Sequence, residues 1–166
     1  LERYLNKGLY YMVTASIFDS KYYGGDRKWR NTLYNRNFII NVLGGKEWMV
    51  GRDKQNMFSV NFKITLQGGD RYAPVDEVAT LLDPDREVQY DETKAFSKQF
   101  SPMFITNFSV GYKINRKKVS HEFSIKSLNT TGCEEYYGHE YNFKPDKLKP
   151  IRGASSLPNV SYKLEF

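Results

Sequence analysis

The stretch FSVNFKITLQ, Phe58 to Gln67, decides how this chain is read. Phe58, Val60, Phe62, Ile64 and Leu66 alternate with Ser59, Asn61, Lys63, Thr65 and Gln67 without a break. At about 100° per residue a helix scatters those five apolar side chains around its axis, so a period of two predicts a strand with one apolar and one polar face.

Working outward, the same period recurs. Thr106, Phe108, Val110, Tyr112 and Ile114 share one face, opposite Asn107, Ser109, Gly111 and Lys113. The terminal NVSYKLEF sets Val160, Tyr162, Leu164 and Phe166 against Asn159, Ser161, Lys163 and Glu165. His121, Phe123 and Ile125 oppose Glu122, Ser124 and Lys126, while Leu9 to Ile17 and Phe38 to Trp48 form two further series. Six strands are expected, starting near Leu9, Asn35, Met57, Gln99, Val119 and Ser156. A stub at Leu1 to Tyr4 precedes them and is joined to the first through the Gly-containing turn Asn6 to Gly8. Leu1 already sits in a patterned stretch, so the incoming strand is expected to begin before it.

The connections alternate in length. Asn6 to Gly8, Val50 to Asn56 and Arg116 to Lys118 are short and polar, whereas Lys21 to Tyr34, Asp70 to Lys98 and Thr131 to Ser155 are long. Loops beyond about 12–15 residues are uncommon in compact domains. Here every second connection is long, which gathers the long loops at one end of the sheet and the short turns at the other. Short turns on one side and long loops on the other are the asymmetry of an outer-membrane barrel. Strands of about ten alternating residues match the 9–11 needed to cross a bilayer better than the five or six usual in globular sheets. Trp48, Tyr112, Tyr162 and Phe166 lie toward the short-turn ends, where an interfacial girdle belongs.

Composition removes several classes. The net charge is +6, yet Lys and Arg are scattered along all 166 residues, which argues against a nucleic-acid binder. Cys133 is the single cysteine, so no internal disulfide framework exists. No stretch reaches the ~20 apolar residues of a membrane helix. The low mean hydropathy does not oppose a membrane barrel, whose alternation hides from averages.

Catalytic chemistry is hard to place. His121 and His139 are the only histidines, and Glu134, Glu135, His139 and Glu140 match no metal-ligand spacing. Cys133 has no evident base nearby. The GGDR at Gly68 to Arg71 lacks the spacing of a phosphate loop and follows a strand without opening a helix. The expectation is a protein that is not an enzyme and has no cofactor and no metal.

Four stretches together, LERYLNKGLYYMVTASIFDSKY (1–22), RNTLYNRNFIINVLGGKEW (30–48), GGDRYAPVD (68–76) and NRKKVSHEFSIKSLNTTG (115–132), followed by a terminal aromatic, resemble the last strands of TonB-dependent receptors. That family forms 22-stranded plugged barrels in the outer membrane of Gram-negative bacteria. The resemblance implies an all-β chain, residues 1–166, forming the last six antiparallel up-and-down strands plus a stub of a transmembrane barrel that does not close by itself. The plug domain and the earlier strands are expected outside this sequence, and with them the contact to the TonB-type energy-coupling protein. Other expected partners are outer-membrane lipid, the remainder of the barrel and the barrel-assembly machinery. That machinery reads a terminal aromatic signal, here Tyr162, Leu164 and Phe166.

Within that frame Asn61, Lys63, Gln67, Asn107, Lys113 and Lys126 are candidates to face the lumen. Trp29, Arg71, Tyr72, Tyr136, Tyr137 and Tyr141 are candidates for ligand contact from the long outer loops. The rival reading is a soluble all-β ligand-binding module, a small barrel or sandwich that uses one face of the sheet as its core.

Overall fold

A computed structural model describes all 166 residues, Leu1 to Phe166. The chain is all-β, with strands β1 (Glu2–Asn6), β2 (Leu9–Ile17), β3 (Lys21–Tyr23), β4 (Trp29–Asn31), β5 (Phe38–Val50), β6 (Asn56–Gln67) and β7 (Arg71–Tyr72) in its first half. After helix α1 (Glu77–Leu82) and a short 3-10 turn at Glu92–Lys94 come β8 (Lys98–Gln99), β9 (Met103–Asn115), β10 (Ser120–Leu128), β11 (Glu135–Asn142), β12 (Lys147–Gly153) and β13 (Leu157–Glu165). Seven of these form one antiparallel sheet in the order β1-β2-β5-β6-β9-β10-β13, an open meander with β1 and β13 at its edges. The expected six strands and stub are this sheet.

The register follows from the alternation. Trp48 pairs with Phe58, Phe58 with Tyr112, Tyr112 with Phe123 and Phe123 with Tyr162, so five aromatic side chains from five neighbouring strands stand in one row on one face. The rows beyond it on that face are Lys46–Val60–Val110–Ile125–Val160 and Gly44–Phe62–Phe108. A slip of one residue in any strand would send its whole apolar set to the polar side, which is why the pattern specifies the pairing so strongly.

Two expected boundaries differ. Residues Asn35 to Asn37 are a bend rather than the start of β5, because Asn35 is fully buried and donates to Asp19 Oδ1 (2.7 Å) and Asn31 Oδ1 (2.9 Å), and Asn37 takes a positive φ of 69°. Lys98 and Gln99 form a separate two-residue ladder with Tyr72 and Arg71, and the long strand β9 begins after Pro102. Proline supplies no N–H to a ladder, which sets that break.

The sheet is a single layer. Only ten residues of the chain are buried, and Phe62, Phe123 and Val160 on the aromatic face stay 43%, 49% and 77% exposed. The packed part of the molecule is instead the cluster of long connections at one end, where Asn35, Ala73, Thr80, Ala95 and Met103 are buried. Each long connection contains its own two-stranded antiparallel ladder: β3–β4, β7–β8 and β11–β12.

Candidate functional site

The long connections fold into one layer because polar groups of each find partners in the next. Arg71 donates from Nε to Asn35 O (2.7 Å) and from Nη2 to Asn37 Oδ1 (2.8 Å), tying the second connection to the first. Arg30 holds Asp26 and also reaches Thr93 O at 3.0 Å. Its guanidinium is what keeps the Asp26 carboxyl down at about 2. Asp91 is likewise lowered to about 2, by Lys94 and then by the Thr93 hydroxyl, and it caps the 3-10 turn.

An aromatic stack joins the second and third connections. Tyr72 lies on Phe100 at 4.2 Å, Phe100 on Tyr136 at 4.4 Å, and the Arg152 guanidinium sits over the Tyr136 ring, 4.7 Å from its centroid. His139 packs against the same group, 5.2 Å from Tyr72 and 6.0 Å from Phe100, and its backbone N–H donates to the Tyr90 hydroxyl at 3.1 Å. Its Nδ1 is buried with no hydrogen-bond partner, and burial lowers the imidazole below its ordinary value.

Beneath the stack lies a cavity of about 160 Å³ lined by Arg36, Gln67, Asp70, Phe100, Met103, Glu135, Tyr136 and Tyr137. Arg36 and Asp70 form a bidentate pair in its wall, at 2.6 and 3.0 Å. Ordinary small-molecule pockets run from about 300 Å³, so this space takes one ring-sized group rather than a whole drug-sized ligand. Aromatic walls with a carboxylate, an amide and a neutralised guanidinium–carboxylate pair suit a neutral polar ring that offers hydroxyl groups.

The polar face runs down the sheet from that cavity. Tyr10 donates to Asn61 Oδ1 (2.7 Å) and Asn61 Nδ2 donates to Ser109 Oγ (3.3 Å), a chain of side chains across three strands. Thr65 donates to Asn41 Oδ1 at 2.8 Å, and Lys113 reaches over β10 to Glu165 at 2.6 Å. Asn61, Lys63, Asn107, Lys113 and Lys126 stand on this face, each paired in register with a residue of the polar set, and Gln67, paired with Ile39 and Met103, shares it by the alternation along β6. On the other face Tyr162 packs on Phe123 at 4.9 Å and its hydroxyl meets His121 Nδ1 at 2.8 Å. Leu164 pairs with His121, and Phe166 stands free beyond β13.

The sequence candidates from the loops divide. Tyr136 and Tyr137 meet the sheet candidate Gln67 around the one cavity. Tyr72 supports it from within the stack, and Arg71 is engaged by Asn35 and Asn37. Trp29 lies apart, 5.3 Å from Tyr23, and Tyr141 lies under Arg86 near α1. Arg36, Gly69, Asp70, Phe100, Met103 and Glu135 are the lining residues that the sequence reading missed. The register offered a signal for two of them. Extending the Ile39–Gln67 pairing by three residues on each strand brings Arg36 opposite Asp70.

No protein-family model matches the chain, and neither the curated proteins nor the solved structures contain a match to it.

Proposed function

We propose that this chain is the C-terminal barrel wall, with its outer loops, of a TonB-dependent receptor that takes up a scarce nutrient across the outer membrane of a Gram-negative bacterium. The observation that carries the reading is the row Trp48–Phe58–Tyr112–Phe123–Tyr162, five aromatic residues in register at the short-turn ends of five neighbouring strands. Such a row is what a barrel needs where hydrocarbon meets headgroups. From Phe58 to Leu66 the apolar face continues over nine residues, or eight steps along the strand. At ~3.3 Å each and a tilt of ~40° these cover about 20 Å of membrane, close to the ~25 Å apolar band of such barrels. The opposite face, hydrogen-bonded from side chain to side chain, suits a wet lumen, and the cavity at its loop end suits the place where a ligand first touches this part of the wall.

The free edges of β1 and β13 fit a wall continued by other strands, since unpaired backbone groups are not tolerated in hydrocarbon. Receptor function then depends on the rest of the barrel, on a plug and on the energy-coupling contact, none of which this sequence supplies. The test is to express the gene from its natural start, fractionate the cells and compare electrophoretic mobility with and without boiling. A membrane-pelleted protein whose folded form migrates differently before heating supports the reading. Recovery in the soluble fraction favours the soluble all-β module instead.

A further inference from the structure

The three short turns carry six cations, Lys7, Arg52, Lys54, Arg116, Lys117 and Lys118, against one acid, Asp53. They join β1 to β2, β5 to β6 and β9 to β10, so all three lie at the same end of the sheet. Every one of the six side chains is exposed, and none takes part in the eight ion pairs of the chain. At the loop end Lys21, Arg30, Arg36, Lys94, Lys149 and Arg152 each hold an acid within 3.6 Å, while Arg27, Lys28, Lys98, Lys144 and Lys147 are exposed and outside those pairs. Asp53, the one carboxylate among the turns, accepts from Gln55 at 3.1 Å.

Geometry adds a second asymmetry. The β5–β6 and β9–β10 turns follow directly on the aromatic row, with Trp48 and Phe58 each two residues inside the ends of β5 and β6, while the β1–β2 turn lies beside it, Gly8 accepting from Glu47 N at 2.7 Å. Neighbouring turns are two strand spacings apart, about 10 Å, so their charges are spread across the sheet rather than gathered in a compact patch. Lys46 is the one Lys, Arg, Asp or Glu on the aromatic face of the six long strands. Its Nζ donates to the Lys7 carbonyl at 2.8 Å, which directs the ammonium away from the apolar rows and toward the turns.

We propose that these turn cations bind the headgroups of anionic phospholipids in the leaflet at the short-turn end. The inference rests on the membrane reading above and goes beyond it by naming the lipid chemistry and the residues that select it. Unpaired cations spread over three turns at the aromatic end of the sheet can each meet a phosphate in a plane of headgroups. A compact acidic protein or a nucleic acid would call for a cluster instead. With a Debye length of about 8 Å at physiological salt, turns about 10 Å apart act on the headgroups nearly independently.

The test uses the full-length protein in mild detergent, offered equal phosphatidylglycerol and phosphatidylcholine, with retained lipid counted by mass spectrometry of the intact complexes. The wild type is expected to prefer phosphatidylglycerol by about tenfold or more at low salt, from a factor of about five per well-placed cation. The preference should decline as salt rises. Replacing all six turn cations by Gln should bring the ratio within about twofold of unity, and Arg116→Gln, Lys117→Gln and Lys118→Gln together should give an intermediate value. A control variant, neutralised at the exposed loop-end cations Arg27, Lys28, Lys98, Lys144 and Lys147, should keep the wild-type ratio. A membrane-embedded protein that shows no preference, or whose preference survives the turn variant or is lost in the control, overturns this inference alone. Recovery of the protein in the soluble fraction overturns the membrane reading beneath it.

Discussion

Tyr136 lies flat on Phe100, ring centroids 4.4 Å apart and planes 9° from parallel, and this contact joins the third long connection to the second. Phe100 also stacks on Tyr72 at 4.2 Å, so one side chain holds two partners. Hairpin β11–β12 is otherwise attached to the second connection through His139, which packs on Tyr72, Tyr90 and Phe100 and donates its N–H to the Tyr90 hydroxyl, and through the contact of Arg86 with Tyr141.

Phe100→Ala should therefore loosen β11–β12 without disturbing the long sheet. The Phe100–Tyr136 contact is the stacked one that spans the two connections, and at about 1 kcal/mol its loss amounts to about fivefold in the local opening equilibrium. Hydrogen exchange at Glu135–Asn142 should quicken by that order while β6 and β9 keep their protection. Tyr136→Phe, which keeps the ring, should exchange like the wild type. An unchanged rate in Phe100→Ala would show that the stack does not hold the hairpin.

The contrast between sheet and loops explains what could be read from the residues alone. In β6 and β9 each side chain meets either apolar surface or water and polar neighbours, so residue type follows position with a period of two. In β11 that link is broken: the ladder shifts register between Tyr136 and Gly138, Gly138 takes a φ of 133°, and its partner strand contains Pro150. Tyr136, Tyr137, His139 and Tyr141 consequently carry no alternation, although they form a strand. Asn35 failed for another reason. A polar residue that is fully buried and satisfied by Asp19, sixteen residues back, and by Asn31, four back, depends on how the loop folds on itself rather than on any alternation. The cavity was legible only in part, because tyrosines and Gln67 stand out in a sequence while a register-determined pair such as Arg36–Asp70 does not.

His139 gives the loop layer a pH dependence with a definite sign. Burial lowers its imidazole below 6.5, and Nδ1 has no acceptor waiting for a proton. The aromatic groups around it are Tyr72, Tyr90 and Phe100. The unfolded hairpin takes up the proton first as pH falls, so the stability contributed by neutral His139 is complete above 6.5 and declines below it until the lowered folded value is passed. Asp26 and Asp91, held at about 2, lose their contribution only below 3.8, which leaves the interval from 6.5 down to about 4 to His139. Exchange at Glu135–Asn142, corrected for its intrinsic pH dependence, should accelerate across that interval in the wild type and stay flat in His139→Phe. Equal acceleration in both proteins would exclude His139 as the source.

Glycine positions separate backbone from side-chain constraints. Lys7 and Gly8, with φ of 51° and 76°, form a hairpin turn in which both central residues are left-handed, and a Cβ on Gly8 would lie 2.1 Å from the Glu47 carbonyl oxygen. At Gly45 the nearest obstacles are the Asn61 Oδ1 at 2.2 Å and the Tyr10 ring, ends of side chains that can rotate away. Gly8→Ala should thus cost about 2–3 kcal/mol through strain and backbone displacement, against about 1 kcal/mol for Gly45→Ala through loss of the Tyr10–Asn61 hydrogen bond. Urea titration of the folded protein should rank them in that order. The reverse ranking would mean that the Asn61 network, rather than the turn, governs this corner of the sheet.

Phe62 and Asn61 are adjacent in sequence and stand on opposite faces of β6, as do Phe108 and Ser109 on β9, and the two pairs are in register. If the aromatic face meets lipid, a probe placed on it must sense acyl chains, and a probe one residue away must not. With Cys133→Ser removing the native thiol, single cysteines at these four positions in the full-length protein can be labelled with a small fluorophore and reconstituted with lipids brominated along the acyl chain. Probes at Phe62→Cys and Phe108→Cys should be strongly quenched, while those at Asn61→Cys and Ser109→Cys should retain most of their emission and respond to iodide instead. A thiolate forms poorly in hydrocarbon, so labelling in native membranes should also run about tenfold or more slower at the two phenylalanine positions. A second protein layer over the aromatic face would slow labelling as well, but it would leave all four probes insensitive to brominated lipid, and that outcome would transfer the aromatic row from the membrane to a buried core.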